Sequence, residues 1–265
     1  MRGRTEKKRQ FFSEHPLCYF CATGVATTED HGPSRECFRD RVWPEGDVFP
    51  ACQRCNNAAG KLEQVVALYM LLANHAEEEP ARDQFLRLVK GVRNNNPELA
   101  PRVDLGGNAA RRHFRDKGIR LVPGMTYADI PIAELPAGNR AAFELFARRL
   151  TCALYYKEVG RPLPLDHYIA TGWLPFADPG ARDFAENVQG LFPEVRLTNR
   201  RNTNIGNQFF YLRGFHPEGT LFGHASQFLK SYFYFGAAVA PELYTGAENW
   251  KPHSDDIAAL TALVG

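Results

Sequence analysis

The chain has 265 residues, 44% apolar and 23% charged, which suits one large or two modest globular domains and excludes collagen-like, coiled-coil and wholly disordered chains. Its longest apolar stretch, residues 233–240, falls far short of the roughly 20 residues that span a bilayer, and its basic opening leads into no apolar signal segment, so the expectation is a cytoplasmic protein without membrane contact. The net charge of +2, from 32 basic and 30 acidic residues, announces no nucleic-acid binder, and any such reading must come from local clusters.

Residues 1–17 carry Arg2, Arg4, Lys7, Lys8 and Arg9 against the single acid Glu6, followed by Phe11 and Phe12, and read as a basic arm or a short helix. From Cys18 to Asn57 turn residues dominate, with β-prone pieces at 25–28 and 47–49 that predict two strands around a long loop. A helix follows, because Leu62, Val65, Val66, Tyr69, Leu72 and Ala73 recur at three- and four-residue spacing. A second helix is expected over 82–93, ended by Asn94-Asn95-Asn96-Pro97, and then a Gly- and Pro-rich stretch to about 138. A third helix is expected over 141–159, stopped by Gly160 and Pro162. Residues 194–198, 208–215 and 229–239, rich in aromatic and β-branched side chains, read as strands of an α+β region.

Of the six cysteines, four form two pairs, Cys18 with Cys21 and Cys52 with Cys55. In a reducing compartment this spacing points to zinc before disulfides. Two close thiolate pairs complete a tetrahedron and leave no open position, so the expected ion is structural, supplying on the order of 10 kcal/mol of folding energy. Cys37 and Cys152 have no partner at ligand spacing and read as buried thiols.

Between the pairs stands Asp30-His31-Gly32-Pro33, and directly after the last cysteine comes Asn56-Asn57. Phosphodiester hydrolysis needs an activated water, a cation at the scissile phosphate and stabilisation of the leaving oxygen. A neutral imidazole suits the first task, and carboxylate and amide oxygens suit magnesium or manganese. Arg35 and Lys61 flank these residues and are candidate phosphate contacts, the arginine bidentate and the lysine as a point charge.

Cys18-x2-Cys21, Asp30-His31, Cys52-x2-Cys55 and Asn56 together resemble the His-Me finger, or HNH, nucleases, in the zinc-knuckle branch typified by endonuclease VII. The motif covers about a fifth of the chain. The resemblance implies an N-terminal zinc-stapled ββα-metal module, His31 as general base, and Asp30 and Asn56 as ligands of a catalytic Mg2+ or Mn2+. Relatives often place another acidic ligand one helical turn after the asparagine, where this sequence has Ala59. Others use a third ligand about two turns on, where it has Glu63 and Gln64, so Glu63 is a further candidate ligand or else a solvated helix residue. The implied activity is metal-dependent endonuclease action on nucleic acid, DNA before RNA. The alternative is a zinc-dependent nucleic-acid or protein binding module that does not cut.

The resulting domain division is 1–80 for the zinc-containing module and 81–265 for an α+β region with substrate binding or regulation as candidate roles. In that region Arg196, Arg200, Arg201 and Arg213 interleave with Phe209, Phe210, Tyr211 and Phe215. The aromatics read better as strand core, and the arginines, like Arg111-Arg112-His113, are candidate backbone contacts. The dipeptide Asp166-His167 lacks the cysteine frame, and it and the other histidines are expected to be structural.

Overall fold

The computed structural model describes residues 2–73, 82–101, 107–116, 118, 123–124, 126, 136–176, 178, 180–191, 194–197, 199–200, 203–255 and 257. Helix α1 (Arg2–Glu14) leads into a cysteine-bearing turn and the antiparallel hairpin of β1 (Thr28–His31) and β2 (Val48–Ala51), paired Thr28 to Ala51 and His31 to Val48. The hairpin runs directly into α2 (Gln53–Ala73), which α3 (Arg82–Asn95) packs against. Helix α2 starts earlier than its apolar pattern, because the turn at Cys52 already supplies its first bond, from Asn56 N–H to Cys52 C=O (3.1 Å). From Val65 to Leu71 every residue is buried, so this stretch is enclosed on all sides and not merely one-faced.

A short helix, α4 (Gly107–Asp116), lies within the stretch expected to be irregular, and its Arg111 and Arg112 are exposed. Next comes α5 (Asn139–Val159), whose end is set by Gly160: at φ 80° it adopts the left-handed conformation, and its N–H closes on Tyr156 C=O at 2.8 Å. Beyond α5 the chain builds β3 (Tyr168–Pro175), α6 (Ala181–Leu191), β4 (Glu194–Leu197), a small ribbon of β5 (Asn199–Arg200) and β6 (Thr203–Asn204), then β7 (Phe209–Phe215), β8 (Leu221–Phe228), β9 (Tyr232–Val239) and β10 (Lys251–Pro252). Six of these form one antiparallel sheet in the order β10-β3-β9-β8-β7-β4. The architecture is thus a mixture of helices and antiparallel sheets. The apolar run at 233–240 is spent inside the sheet as β9, and among the described residues no helix is long and apolar enough to cross a membrane.

Helix α5 is the central element. It packs on β3, β8 and β9 on one side and on α2 on the other. Its Phe143 and Phe146 meet Tyr234, and Phe146 and Tyr234 both meet Phe228. Buried apolar residues therefore continue without a break from Cys18 through α2 and α5 to Ala238. Phe209 and Tyr211 are core residues, as expected, whereas Arg213 is buried and pairs with Glu158 at 3.0 Å. Arg196 is exposed; the side chains of Arg200, Arg201 and His113, and all of His75, lie outside the described residues. Cys37 and Cys152 are buried thiols. His167, with its neighbour Asp166 3.2 Å away, is buried against Gly219 C=O.

The contact of α5 with the sheet is close enough to demand glycine. A Cβ at Gly236 would lie 2.0 Å from Thr151 Oγ1 and 2.9 Å from His224 Nε2. His224 is fully buried between Thr151 Oγ1 (3.0 Å) and Ser226 Oγ (2.9 Å), and burial pushes its pKa down to about 3. An unfolded histidine titrates near 6.5, so between roughly pH 3 and 6.5 the unfolded chain binds the additional proton. This contribution to stability is complete above that window and is lost as pH falls through it. Urea unfolding at about pH 7 and about pH 5 should show acid destabilisation that shrinks in His224→Gln; an equal fall in both proteins would place the acid sensitivity elsewhere.

Candidate functional site

The Sγ atoms of Cys18, Cys21, Cys52 and Cys55 all lie within 4.8 Å of one another, and Cys21 and Cys52 are 3.9 Å apart. A tetrahedral zinc with sulfur at about 2.3 Å requires sulfurs about 3.8 Å apart, so this cluster can hold a structural metal such as zinc. The local chain is built for it. Gly24 N–H donates to Cys21 Sγ (3.3 Å), and Cys55 N–H, in the first turn of α2, donates to Cys52 Sγ (3.5 Å). Cys18 and Cys55 push the Cys21 thiol well toward thiolate by donating to it, helped by the Thr23 and Gly24 N–H groups. Gly24 itself closes the cluster, since a Cβ there would stand 2.9 Å from Cys52 Cβ and 3.0 to 3.1 Å from two of the sulfurs.

The frame fixes α2 to the hairpin. Asn56 Nδ2 donates to Thr28 Oγ1 (3.0 Å) and to Glu29 C=O (3.4 Å). Thr28 gives its one hydroxyl proton to Ala51 C=O (3.0 Å), so toward Asn56 it can only accept, which determines the amide's orientation. Asn56 Oδ1 is thereby turned away from these partners. Asp30 is 5% exposed, and both of its bonds fall on Oδ2: the Tyr19 hydroxyl donates at 2.7 Å, and the Arg149 guanidinium closes a short ion pair.

Arg149, from the middle of α5, is the functional-site residue that sequence reasoning missed. Besides Asp30 it reaches Cys55 C=O through Nη1 (3.0 Å) and Glu63 Oε1 through Nε (3.4 Å), and its guanidinium carbon lies 5.8 Å over the Tyr19 ring and 5.4 Å over the Phe20 ring. Glu63 therefore differs from one of the two expectations. It is not a solvated helix residue, because its carboxylate is drawn into the interior beside Arg149, which also holds Asp30. Burial pushes its pKa up to about 7 in spite of that cation.

His31 ends β1 and is half-buried. Arg35 Nη2 contacts its Nε2, Trp43 stands edge-on at 5.3 Å, and the Arg35 guanidinium lies 4.0 Å over the Trp43 ring. A guanidinium can only donate, so Nε2 carries the lone pair and the proton sits on Nδ1. Gly32 lets α5 approach: a Cβ there would meet Ala153 Cβ at 3.0 Å. Arg35 is thus brought to His31 as its position in the sequence suggested, while the Lys61 side chain lies outside the described residues. Asn57 pairs with Gln53 on the outer side of α2 (2.6 Å), and Ala59 is buried.

Among the described residues the four cysteines are the only group of three or more His, Cys, Asp or Glu side chains close enough to share an ion. Compared with protein-family models, curated proteins and solved structures, the chain matches none of them.

Two outcomes follow from this geometry. Elemental analysis of the purified chain should give about one tightly held zinc, lost in Cys52→Ser and reduced in Gly24→Ala; a folded, zinc-free wild type would remove the frame. Arg149→Met should lower unfolding free energy by about 3–5 kcal/mol, since it strands two buried carboxylates, and adding Asp30→Asn and Glu63→Gln should recover part of the loss. A loss of equal size without that recovery would mean packing, not charge, is at stake.

Proposed function

We propose that the chain is a metal-dependent endonuclease that hydrolyses nucleic-acid phosphodiester bonds, DNA in preference to RNA, through a zinc-stapled ββα unit of the HNH type. The observation that carries the reading is the hold of Asn56 on Thr28 and Glu29, which joins the first turn of α2 to the strand bearing Asp30 and His31. Zinc at four sulfurs has no open position, so its role is to hold this joint and not to take part in hydrolysis.

In this reading Asp30 and Asn56 would hold Mg2+ or Mn2+, which would supply neutralisation of the negative charge that builds up during hydrolysis. The other steps belong to the chain's own side chains. Arg35 rests on His31 Nε2. A phosphate oxygen is a far stronger acceptor for a guanidinium than a neutral imidazole, so an arriving phosphodiester draws Arg35 onto itself and uncovers the Nε2 lone pair. His31 then takes a proton from water as the water oxygen attacks phosphorus in line, the P–O3′ bond breaks, and the 3′-oxygen leaves with its electron pair to be protonated from solvent. Trp43, stacked under Arg35, sets the arc along which the guanidinium moves.

Plasmid and single-strand cleavage with added magnesium or manganese tests the reading. His31→Ala should cut turnover by about 10²-fold or more while zinc content and melting stay as in wild type. Asp30→Asn should instead raise the magnesium or manganese concentration needed for half-maximal cleavage, so extra cation recovers activity that it cannot recover in His31→Ala. Arg35→Ala should weaken substrate binding and flatten its salt dependence. Wild type that binds DNA or RNA tightly but cuts neither with any divalent cation is a reader, and the enzyme claim then fails; cleavage unimpaired in His31→Ala would remove the imidazole from the mechanism.

A further inference from the structure

Helix α1 is the element that the fold uses least. Every residue from Thr5 to Gln10 is exposed, and burial begins only with Phe11, Phe12 and His15, which are half-buried. These three root the helix. Phe11 packs against Phe12 and His15, and His15 Nδ1 accepts from the Tyr156 hydroxyl at 2.7 Å with the two rings 5.8 Å apart. Tyr156 stands edge-on to Phe49, whose ring is the one that a Cβ at Gly32 would meet at 3.2 Å. The root of α1 is therefore two ring contacts from Phe49, beside the end of the hairpin that bears His31.

The charges of α1 run against its own stability. Arg2, Arg4, Lys7, Lys8 and Arg9 occupy its first part, no acid stands in its first turn, no cation in its last, and Glu14 closes it. A helix dipole favours the reverse, acids first and cations last. A helix of 13 residues is marginal in water even with a good sequence, so this order of charges is a real cost. Nor are the cations spent on neighbours, since among the described residues Lys7, Lys8 and Arg9 enter no ion pair. Lys7, Lys8, Phe11, Phe12 and His15 follow one another at three- and four-residue spacing and so share one side of the helix. Lys8 lies 5.7 Å over the Phe12 ring. The side that docks through its aromatic half is thus continued by lysines that stand exposed.

We propose that α1 is a clamp for the phosphate backbone of duplex DNA beside the hydrolytic site. The inference rests on the nuclease reading for its substrate, and it adds a contact surface to that reading. From Arg2 to Arg9 the helix axis covers about 10 Å, along which one DNA strand presents about three phosphates. Phosphates at this end of α1 supply the negative charge that its first turn lacks. The exposed cations deliver affinity and orientation without reading bases. A lipid surface requires an apolar helix face, and here the two aromatics that could form one are used to root the helix.

Fluorescence anisotropy of a labelled duplex of about 30 bp, with the zinc-loaded full chain and no added magnesium or manganese, reads binding apart from cleavage. A chain with Lys7→Ala, Lys8→Ala and Arg9→Ala should bind about tenfold or more weakly near 0.1 M salt, and its logarithmic salt slope should be smaller by about two to three. Its zinc content should match wild type, and its melting should match or exceed it, because three cations leave the unfavourable end of a helix. Lys7→Arg with Lys8→Arg should keep wild-type affinity. Equal affinity and slope in wild type and the triple alanine chain overturn the proposal, as does an arginine pair that binds as weakly as the alanines. Loss of binding to phosphatidylserine vesicles with duplex binding unchanged overturns it too, in favour of a membrane. The clamp and the nuclease fail separately: a chain that cuts DNA, with duplex binding unchanged by the alanines, keeps the nuclease and loses the clamp. One that binds duplex through α1 but cuts nothing with any divalent cation keeps the clamp and loses the nuclease.

Discussion

A single buried guanidinium stands between two carboxylates, and the arrangement around the cysteine frame depends on it. Arg149 is 3% exposed, and it faces Asp30 from the hairpin, Glu63 from α2 and the carbonyl of Cys55 from the frame itself. Desolvating three charged groups is costly, and such a cluster is poor grounds for claiming net stability. What it supplies is register. An arginine fork that meets acceptors on three segments at once tolerates only one placement of α5 against hairpin and α2, whereas the apolar contacts around it tolerate sliding. The cluster carries one positive and two formal negative charges, and burial first, then the charge of Asp30, raises the pKa of Glu63 against the pull of Arg149. Asp30 accepts bonds from Tyr19 and Arg149 on one oxygen.

Around this point the apolar core is continuous. Tyr19 and Phe49 come from the frame and hairpin, Phe143 and Phe146 from α5, and Phe228 and Tyr234 from the sheet. A second set of bonds ties the same parts together at the other end of α5: Lys157 to Asp47 before β2, Tyr211 and Arg213 to Glu158, and Tyr156 to His15 after α1. His253 closes the C-terminal side, its Nε2 bonded to Phe20 C=O at 2.7 Å. Helix α5 is therefore held at its middle by charge inside the core and near its end by polar bonds to hairpin, helix and sheet.

What was legible in the sequence follows from range. The two cysteine pairs, the hairpin and the long helices α2, α3 and α5 come from spacings of two to four residues, and they stand where those spacings put them, except that α2 begins at Gln53, nine residues ahead of its apolar pattern. Strands β3 and β8 were not read. Thr171 and Gly172 in one, and Gly223, His224 and Ser226 in the other, break the apolar pattern, and those residues are explained only by neighbours across the sheet. Arg149 was illegible for the same reason: 119 residues separate it from Asp30, and on its own helix it looks like one of two adjacent surface arginines. Glu63 was read as a candidate ligand or else as solvated, and its pairing was missed because nothing local announces an arginine waiting for it.

The Thr28 hydroxyl holds one proton and commits it across the hairpin to Ala51. The facing amide of Asn56 thereby has its handedness dictated by a residue that belongs to no motif. Valine matches threonine in shape and favours a strand equally well, so a Thr28→Val chain would keep its fold, its cysteines and every residue that defines the motif. Yet the only thing telling Asn56 which end is nitrogen would then be one longer bond to a main-chain carbonyl. Such a chain would carry an error of orientation and not of position, invisible to any comparison of residue types at the motif.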